Sequence, residues 1–236
     1  MSALLEIKGL YGGYEKGVNI LQGIDLSVSE GETVGILGLN GSGKSTLGKA
    51  IMNLIPFRNG KIFFDGIDVS NYSTHRLAQL GIAIMHQGGE VFANLSVWQN
   101  LQLAWGRHAD NDYYNQLVDI IPLLQLPEKV MRSQMADKLS GGQRHELALA
   151  MTMARKPKMV ILDEPSAGLS PHAVERMYHL LCGVRVRLNI TIIIIEQNIA
   201  KVVDFCERCV LLKQGELMNS FMDKNIKDIE NTIFII

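Results

Sequence analysis

Ile24, Leu26 and Val28 alternate with polar residues in Gly23-Ile24-Asp25-Leu26-Ser27-Val28, the pattern of an antiparallel strand with one face buried. Leu4-Leu5-Glu6-Ile7 predicts a strand before it, separated by a polar turn region, and Thr33-Val34-Gly35-Ile36-Leu37 predicts one after it. Lys61-Ile62-Phe63-Phe64 and Gly81-Ile82-Ala83-Ile84-Met85 predict two more, flanking a short helix capped by Ser73 or Thr74. From Gly88 to Lys156 strand signals give way to helical periodicity, for example over Asn115 to Leu124, with residues 107–112 as a polar loop at the tip. Residues 88–155 therefore predict a helical subdomain inserted into an α/β core made of residues 1–87 and 156–236. The core resumes where Met159-Val160-Ile161-Leu162 runs without interruption into Asp163-Glu164-Pro165, as expected of a strand buried on both faces of a parallel sheet. Thr191 to Ile195 is a second such run. Between them Ser170 predicts a cap with Pro171 at the first helical position. Val174, Met177, Leu181, Val184 and Leu188 follow at helical spacing. A helix over Ile199 to Phe205 and a hairpin around Gln214-Gly215 complete the predicted elements, without internal repeats.

With 236 residues and 47% hydrophobic content the chain can bury a sizeable core. A net charge of −1 gives no basis for sequence-independent nucleic-acid binding, which needs a basic surface. Met1-Ser2-Ala3-Leu4-Leu5 lacks the charged and long apolar regions of a signal peptide. Ile192 to Ile195 is far shorter than the ~20 residues a membrane helix needs, so a soluble protein is expected, with any membrane role coming through a partner. Of three cysteines, Cys206 and Cys209 form a C-x-x-C without a second pair, which favours packing or surface thiols in a reducing cytosol over a zinc site.

Chemistry enters at Gly38-Leu39-Asn40-Gly41-Ser42-Gly43-Lys44-Ser45, between the strand ending at Leu37 and a helix predicted over Thr46 to Leu54. This fits the phosphate-binding pattern G-x-x-x-x-G-K-[ST] in its strand–loop–helix setting. Glycines let successive backbone N–H groups turn inward, and the helix start adds its unpaired N–H groups and positive dipole end. Lys44 supplies a charge for the β- and γ-phosphates, and the Ser45 hydroxyl a ligand for Mg²⁺. Asp163, at the end of a buried strand, is the candidate second metal carboxylate. Glu164 emerges beside it, placed to orient or deprotonate water. Ser140-Gly141-Gly142-Gln143 reads as a capping box, Ser140-x-x-Gln143. Its two glycines are poor helix formers, and suit a helix start that brings its backbone against a phosphate. Tyr11-Gly12-Gly13-Tyr14 leaves two readings open, an exposed aromatic that stacks on a base or one packed on the sheet edge.

Taken together, GLNGSGKS, LSGGQ and MVILDEP, in this order and spacing, resemble the nucleotide-binding subunit of ATP-binding-cassette (ABC) transporters over essentially the whole chain. The resemblance implies a P-loop NTPase core with an antiparallel β subdomain and an inserted helical subdomain. It implies an ATPase using Mg²⁺, in a head-to-tail dimer that holds each ATP between the P-loop of one subunit and the LSGGQ of the other. Residue by residue it assigns nucleotide contacts to Gly38 through Ser45, Thr46, Ser140, Gly141, Gly142 and Gln143. Tyr14 matches the base-stacking aromatic, with Tyr11 second. Gln87 matches the glutamine that touches Mg²⁺ and water, so Ser45, Gln87 and Asp163 form the implied metal set and Glu164 the catalytic base. Ser166 to Ser170 resembles the loop that communicates across the dimer, with Ser170 in place of the usual aspartate. Gln197 stands where the family usually has a switch histidine; it can donate a hydrogen bond but carries no positive charge. Glu196-Gln197-Asn198, with Glu164 to Pro171, is similar to ATPases of branched-chain amino-acid importers, and Phe205-Cys206-Glu207-Arg208 is similar to lipopolysaccharide-export ATPases. Implied partners are transmembrane permease subunits, a second ABC ATPase (the same or a different chain) and indirectly a solute-binding protein, but not nucleic acid. The implied place is the cytoplasmic face of the membrane, held peripherally. Phe92, Leu95 and Trp98 are candidates either for a groove that receives a permease helix or for subdomain core.

Overall fold

The computed structural model describes residues 3–106 and 128–221, so the helix predicted over Asn115 to Leu124 and the loop at 107–112 lie outside the described residues. Among the described residues two sheets organise the fold. The first is antiparallel, in the order β2-β1-β4-β5, from β1 (Ala3–Gly13), β2 (Leu21–Ser29), β4 (Phe57–Phe64) and β5 (Ile67–Asp68). In the second, β3 (Thr33–Leu37), β6 (Ile82–Met85), β7 (Met159–Asp163), β8 (Thr191–Ile195) and β9 (Arg208–Lys213) run parallel, and β10 (Glu216–Phe221) pairs antiparallel with β9. Its order is β10-β9-β3-β8-β7-β6.

Ile24, Leu26 and Val28 are all buried on β2, as the alternation predicts. On the parallel strands neighbouring residues serve different cores. Val160, Leu162, Ile192 and Ile194 pack in a cluster with the helices. Ile161, Ile193 and Ile195 pack in a second cluster with the antiparallel sheet. A strand with both faces covered reads as an unbroken apolar run for this reason.

Helices α1 (Lys44–Ile51) and α2 (Thr74–Gln79) join the two sheets, and Ser73 caps α2 through Arg76 N. Between β6 and β7 the described residues form α3 (Val97–Trp105), α4 (Glu128–Ser133), a short 3-10 turn (Ala136–Lys138) and α5 (Gly141–Met153). After β7 come α6 (Pro171–Leu188) and α7 (Ile199–Phe205). Ser140 and Gln143 form both halves of the capping box on α5. Ser170 caps α6, with Pro171 in its first turn.

Two expectations are corrected, and the structure chooses between the two readings left open for Trp98. The first strand does not stop at Ile7 but continues to Gly13, because Tyr11, Gly12 and Gly13 pair with Asn59, Arg58 and Phe57 of β4. Helix α1 starts at Lys44 rather than Thr46, since the left-handed Gly43 (φ 104°) is its N-cap, and it ends at Ile51, before Asn53 turns left-handed (φ 54°). Trp98 is core rather than groove wall: it is 9% exposed, with the Arg132 guanidinium 4.4 Å from its ring centre. Phe92 is 52% exposed and Leu95 half-buried, and neither lines the groove described below.

Candidate active site

In a parallel sheet, ligands gather beyond the carboxyl ends of the strands. Four of those ends supply the candidate residues: the P-loop follows β3, Gln87 follows β6, Glu164 follows β7 and Gln197 follows β8. They meet around a cleft of about 390 Å³ whose lining includes Asn40, Gly41, Gly43, Lys44, Ser45, Thr46, Gln87, Glu164 and Gln197. Ile20 also lines it, a residue without a sequence motif, brought there because its N–H donates to Gly12 O (2.7 Å) and it packs beside Gly43.

Gly41 (φ 80°) and Gly43 (φ 104°) hold left-handed conformations that let the loop wrap inward. Lys44 is 4% exposed, and its ammonium donates to Gly38 O (2.9 Å) and Leu39 O (3.0 Å) of its own loop. Burial pulls its pKa below the ordinary lysine value, while the carboxylates of Glu164, Asp163 and Glu196 act in the opposite direction. The Ser42 hydroxyl is buried without a hydrogen-bond partner. A loop that presents a buried ammonium to the cleft fits an oxygen-rich anion.

Ser45 Oγ donates to Asp163 Oδ1 at 2.9 Å, which brings two hard oxygen donors together. Asp163 is 3% exposed; burial raises its pKa, the Ser45 bond opposes the rise, and the Glu164 charge adds to it. Such a pair fits Mg²⁺, which takes one or two protein oxygens and leaves the rest to phosphate and water.

Glu164 occupies a left-handed conformation (φ 47°), uncommon for a residue with a side chain and frequent where a site fixes a reacting group. Its N–H is tied to Ile195 O (2.8 Å). Each carboxylate oxygen accepts from a different glutamine: Oε2 from Gln87 Nε2 (2.9 Å) and Oε1 from Gln197 Nε2 (2.6 Å). The carboxylate is thus held between the ends of β6 and β8.

Other sequence candidates are placed elsewhere in this chain. Ser140, Gly141, Gly142 and Gln143 open α5 and do not line the cleft. Tyr14 lies just past β1, 44% exposed, and is not a lining residue. Cys206 and Cys209 are buried beside Gly35 of β3. Glu196, to which the sequence reading gave no role, is 3% exposed and accepts hydrogen bonds from Ser166 and Gln197. A charged residue directly after a five-residue buried strand was the signal available for it.

A second opening, of about 390 Å³, lies between β6 and the helices, with Met85, His86, Glu90, Ala104, Ala148, Met151 and Arg155 on its walls. Among the described residues no helix is long and apolar enough to cross a membrane.

Comparison with known proteins agrees with this geometry. The family model described as ABC transporter matches residues 21–167. A probable branched-chain amino acid transport ATP-binding protein of Archaeoglobus fulgidus is 33% identical over 91% of this chain and 90% of its own. The lipopolysaccharide export system ATP-binding protein of Escherichia coli is 32% identical over 92% of this chain and 89% of its own. Among solved structures, cbiO1 of Clostridium perfringens, part of the ABC transporter complex cbiONQ, superposes with a TM-score of 0.84 at 28% identity, covering 98% of this chain and 91% of that one. The chain belongs to the ABC transporter family, as an ATPase cassette of it.

Proposed function

We propose that this cassette powers a membrane importer of branched-chain amino acids or a related small amide, with ATP held head to tail between two cassettes. The observation that carries the ATP-driven part is the Glu164 carboxylate, fixed beside the P-loop between the amides of Gln87 and Gln197. Lys44 and the loop N–H groups bind the phosphates. Ser45, Asp163 and Gln87 would hold Mg²⁺, which when bound neutralises charge on the phosphates. Glu164 takes the proton from the attacking water, and the two amides hold its carboxylate in one orientation while it does so. Gln197 hydrogen-bonds without adding positive charge, so stabilisation of the γ-phosphate rests on Lys44 and the loop N–H groups.

The second half of each site is the Ser140-Gly141-Gly142-Gln143 helix start of the other cassette, and Tyr14 stacks on the base from the end of β1. The 1–87 and 156–236 segments serve as the nucleotide core and 88–155 as the signature subdomain. The groove beside His86 receives a helix of the permease, which keeps the cassette peripheral on the cytoplasmic face. The import reading is supported by the Archaeoglobus relative. Lipopolysaccharide export is the second reading, favoured by a relative of almost equal identity and coverage.

The test is the mass in solution of Glu164→Gln with and without Mg-ATP. Blocked hydrolysis is expected to trap a dimer, and Ser140→Arg to abolish it. A monomer that still binds ATP would assign the second half-site to a different cassette. Absence of ATP binding would overturn the proposal.

A further inference from the structure

Burying a carboxylate is costly unless hydrogen bonds replace its water. Glu196 is 3% exposed, and its donors come from two separate segments. Ser166 donates both its backbone N–H (3.0 Å) and its hydroxyl to Oε1, and Gln197 donates its backbone N–H to Oε2 (3.1 Å). The Glu196 backbone is itself anchored, its N–H donating to Ile36 O of β3 (3.2 Å). Gln197 in turn donates its side-chain amide to Glu164, two residues before Ser166 in the chain. A closed ring results: Glu164, Pro165 and Ser166 through the chain, Ser166 to Glu196 by hydrogen bonds, Glu196 to Gln197 through the chain, and Gln197 back to Glu164.

The loop on the far side of this ring is a compact turn. Ala167 N–H donates to Glu164 O (3.1 Å) and Leu169 N–H to Ser166 O (3.2 Å), while Gly168 (φ 74°) and Ser170 are exposed at its outer edge. A displacement that moves Ser166 pulls on the Glu196 carboxylate, to which Ser166 donates twice, beside the direct Ala167–Glu164 backbone link.

We infer that Glu196 is a positioning residue: it clamps the loop 166–170 to Gln197, so that a displacement of that loop reorients Glu164. The inference rests on Glu164 being the base. It adds to that reading a named transmitter between the exposed loop and the reacting carboxylate. Its charge is what the role requires, because a carboxylate can accept on both oxygens at once and an amide cannot.

Steady-state ATP hydrolysis by the full chain tests this. Glu196→Gln should lower kcat about tenfold or more and leave the KM for ATP within about twofold, the pattern of a lost orienting contact. Ser166→Ala should move kcat in the same direction and Ser166→Thr, which keeps the hydroxyl, should restore it. In a Gln197→Ala background, Glu196→Gln should add less than about twofold, because the two residues act in series. Full additivity in that background would overturn the inference, as would kcat and KM worsening together with a lower thermal midpoint. Unchanged turnover in Glu196→Gln, with Glu164→Gln inactive, would overturn the inference alone. Turnover retained in Glu164→Gln would overturn the reading of the site beneath it.

Discussion

The Tyr178 hydroxyl is buried on α6 without a hydrogen-bond partner. Burial, with the negative charge of Glu196 added to it, holds its pKa well above the ordinary tyrosine value. A buried polar group left unanswered costs stability, and removing it while keeping the ring retains the edge-on contact with Phe205 at 5.5 Å between centres. Tyr178→Phe should therefore leave stability unchanged or raise it by about 1 kcal/mol, read from the denaturant midpoint. A clear loss would mean that the hydroxyl has a partner. The residues legible in sequence at this scale were those whose chemistry fixes their spacing. Lys44, Ser45, Asp163 and Glu164 were placed by motif alone; the structure brings Lys44, Ser45 and Glu164 to one cleft and bonds Asp163 to Ser45 behind it. Glu196 could be noticed as a charge after a buried strand, but its role was not legible, because its partner Ser166 is thirty positions away in sequence.

An ion pair joins helices α5 and α6. Arg176 Nε sits 2.6 Å from Glu146 Oε1, and Nη2 donates to Oε2 at 3.0 Å. The Glu146 side chain is 5% exposed and that of Arg176 33%. Burial raises the Glu146 pKa above its ordinary value, and Arg176 opposes the rise without cancelling it. A raised carboxylate binds more protons folded than unfolded, so its contribution is fully present below the unfolded value and falls as pH rises through the folded one. Glu146→Gln should flatten that part of the stability–pH curve and stay within about 1 kcal/mol of the parent at neutral pH. Arg176→Met leaves the acid buried and unpaired; with the arginine itself a third exposed, the expected loss is about 2 kcal/mol in chemical denaturation. Element boundaries were less legible than element types. Gly12 and Gly13 read as a turn, yet they sit in β1, and they are glycines because neighbouring chain passes too close for a side chain. A Cβ on Gly12 would lie 3.1 Å from Phe57 O, and one on Gly13 only 2.0 Å from Val18 O. Pairing with β4 decided the outcome over local propensity.

Across the whole molecule, the parallel sheet is a wall with the P-loop cluster on one side and the helical cluster on the other. The groove at its β6 edge is the proposed seat of the permease helix. Ala104→Arg, which fills that groove, should abolish recovery of the membrane subunit with the cassette. Val186→Arg, at a position 78% exposed on α6, should not. Equal loss in both would show that charge rather than shape is responsible. The two buried strands and the helices between β6 and β7 were legible as pattern. The order β10-β9-β3-β8-β7-β6 was not, because apolar runs buried on both faces carry no mark of which neighbour they join. The same wall has a use outside stability. Ile192 and Ile194 present their methyl groups to the helical side, and Ile193 and Ile195 to the P-loop side. Isotope-labelled isoleucine would thus turn one short strand into a two-channel spectroscopic reporter, in which adjacent signals hear the nucleotide and the membrane partner separately.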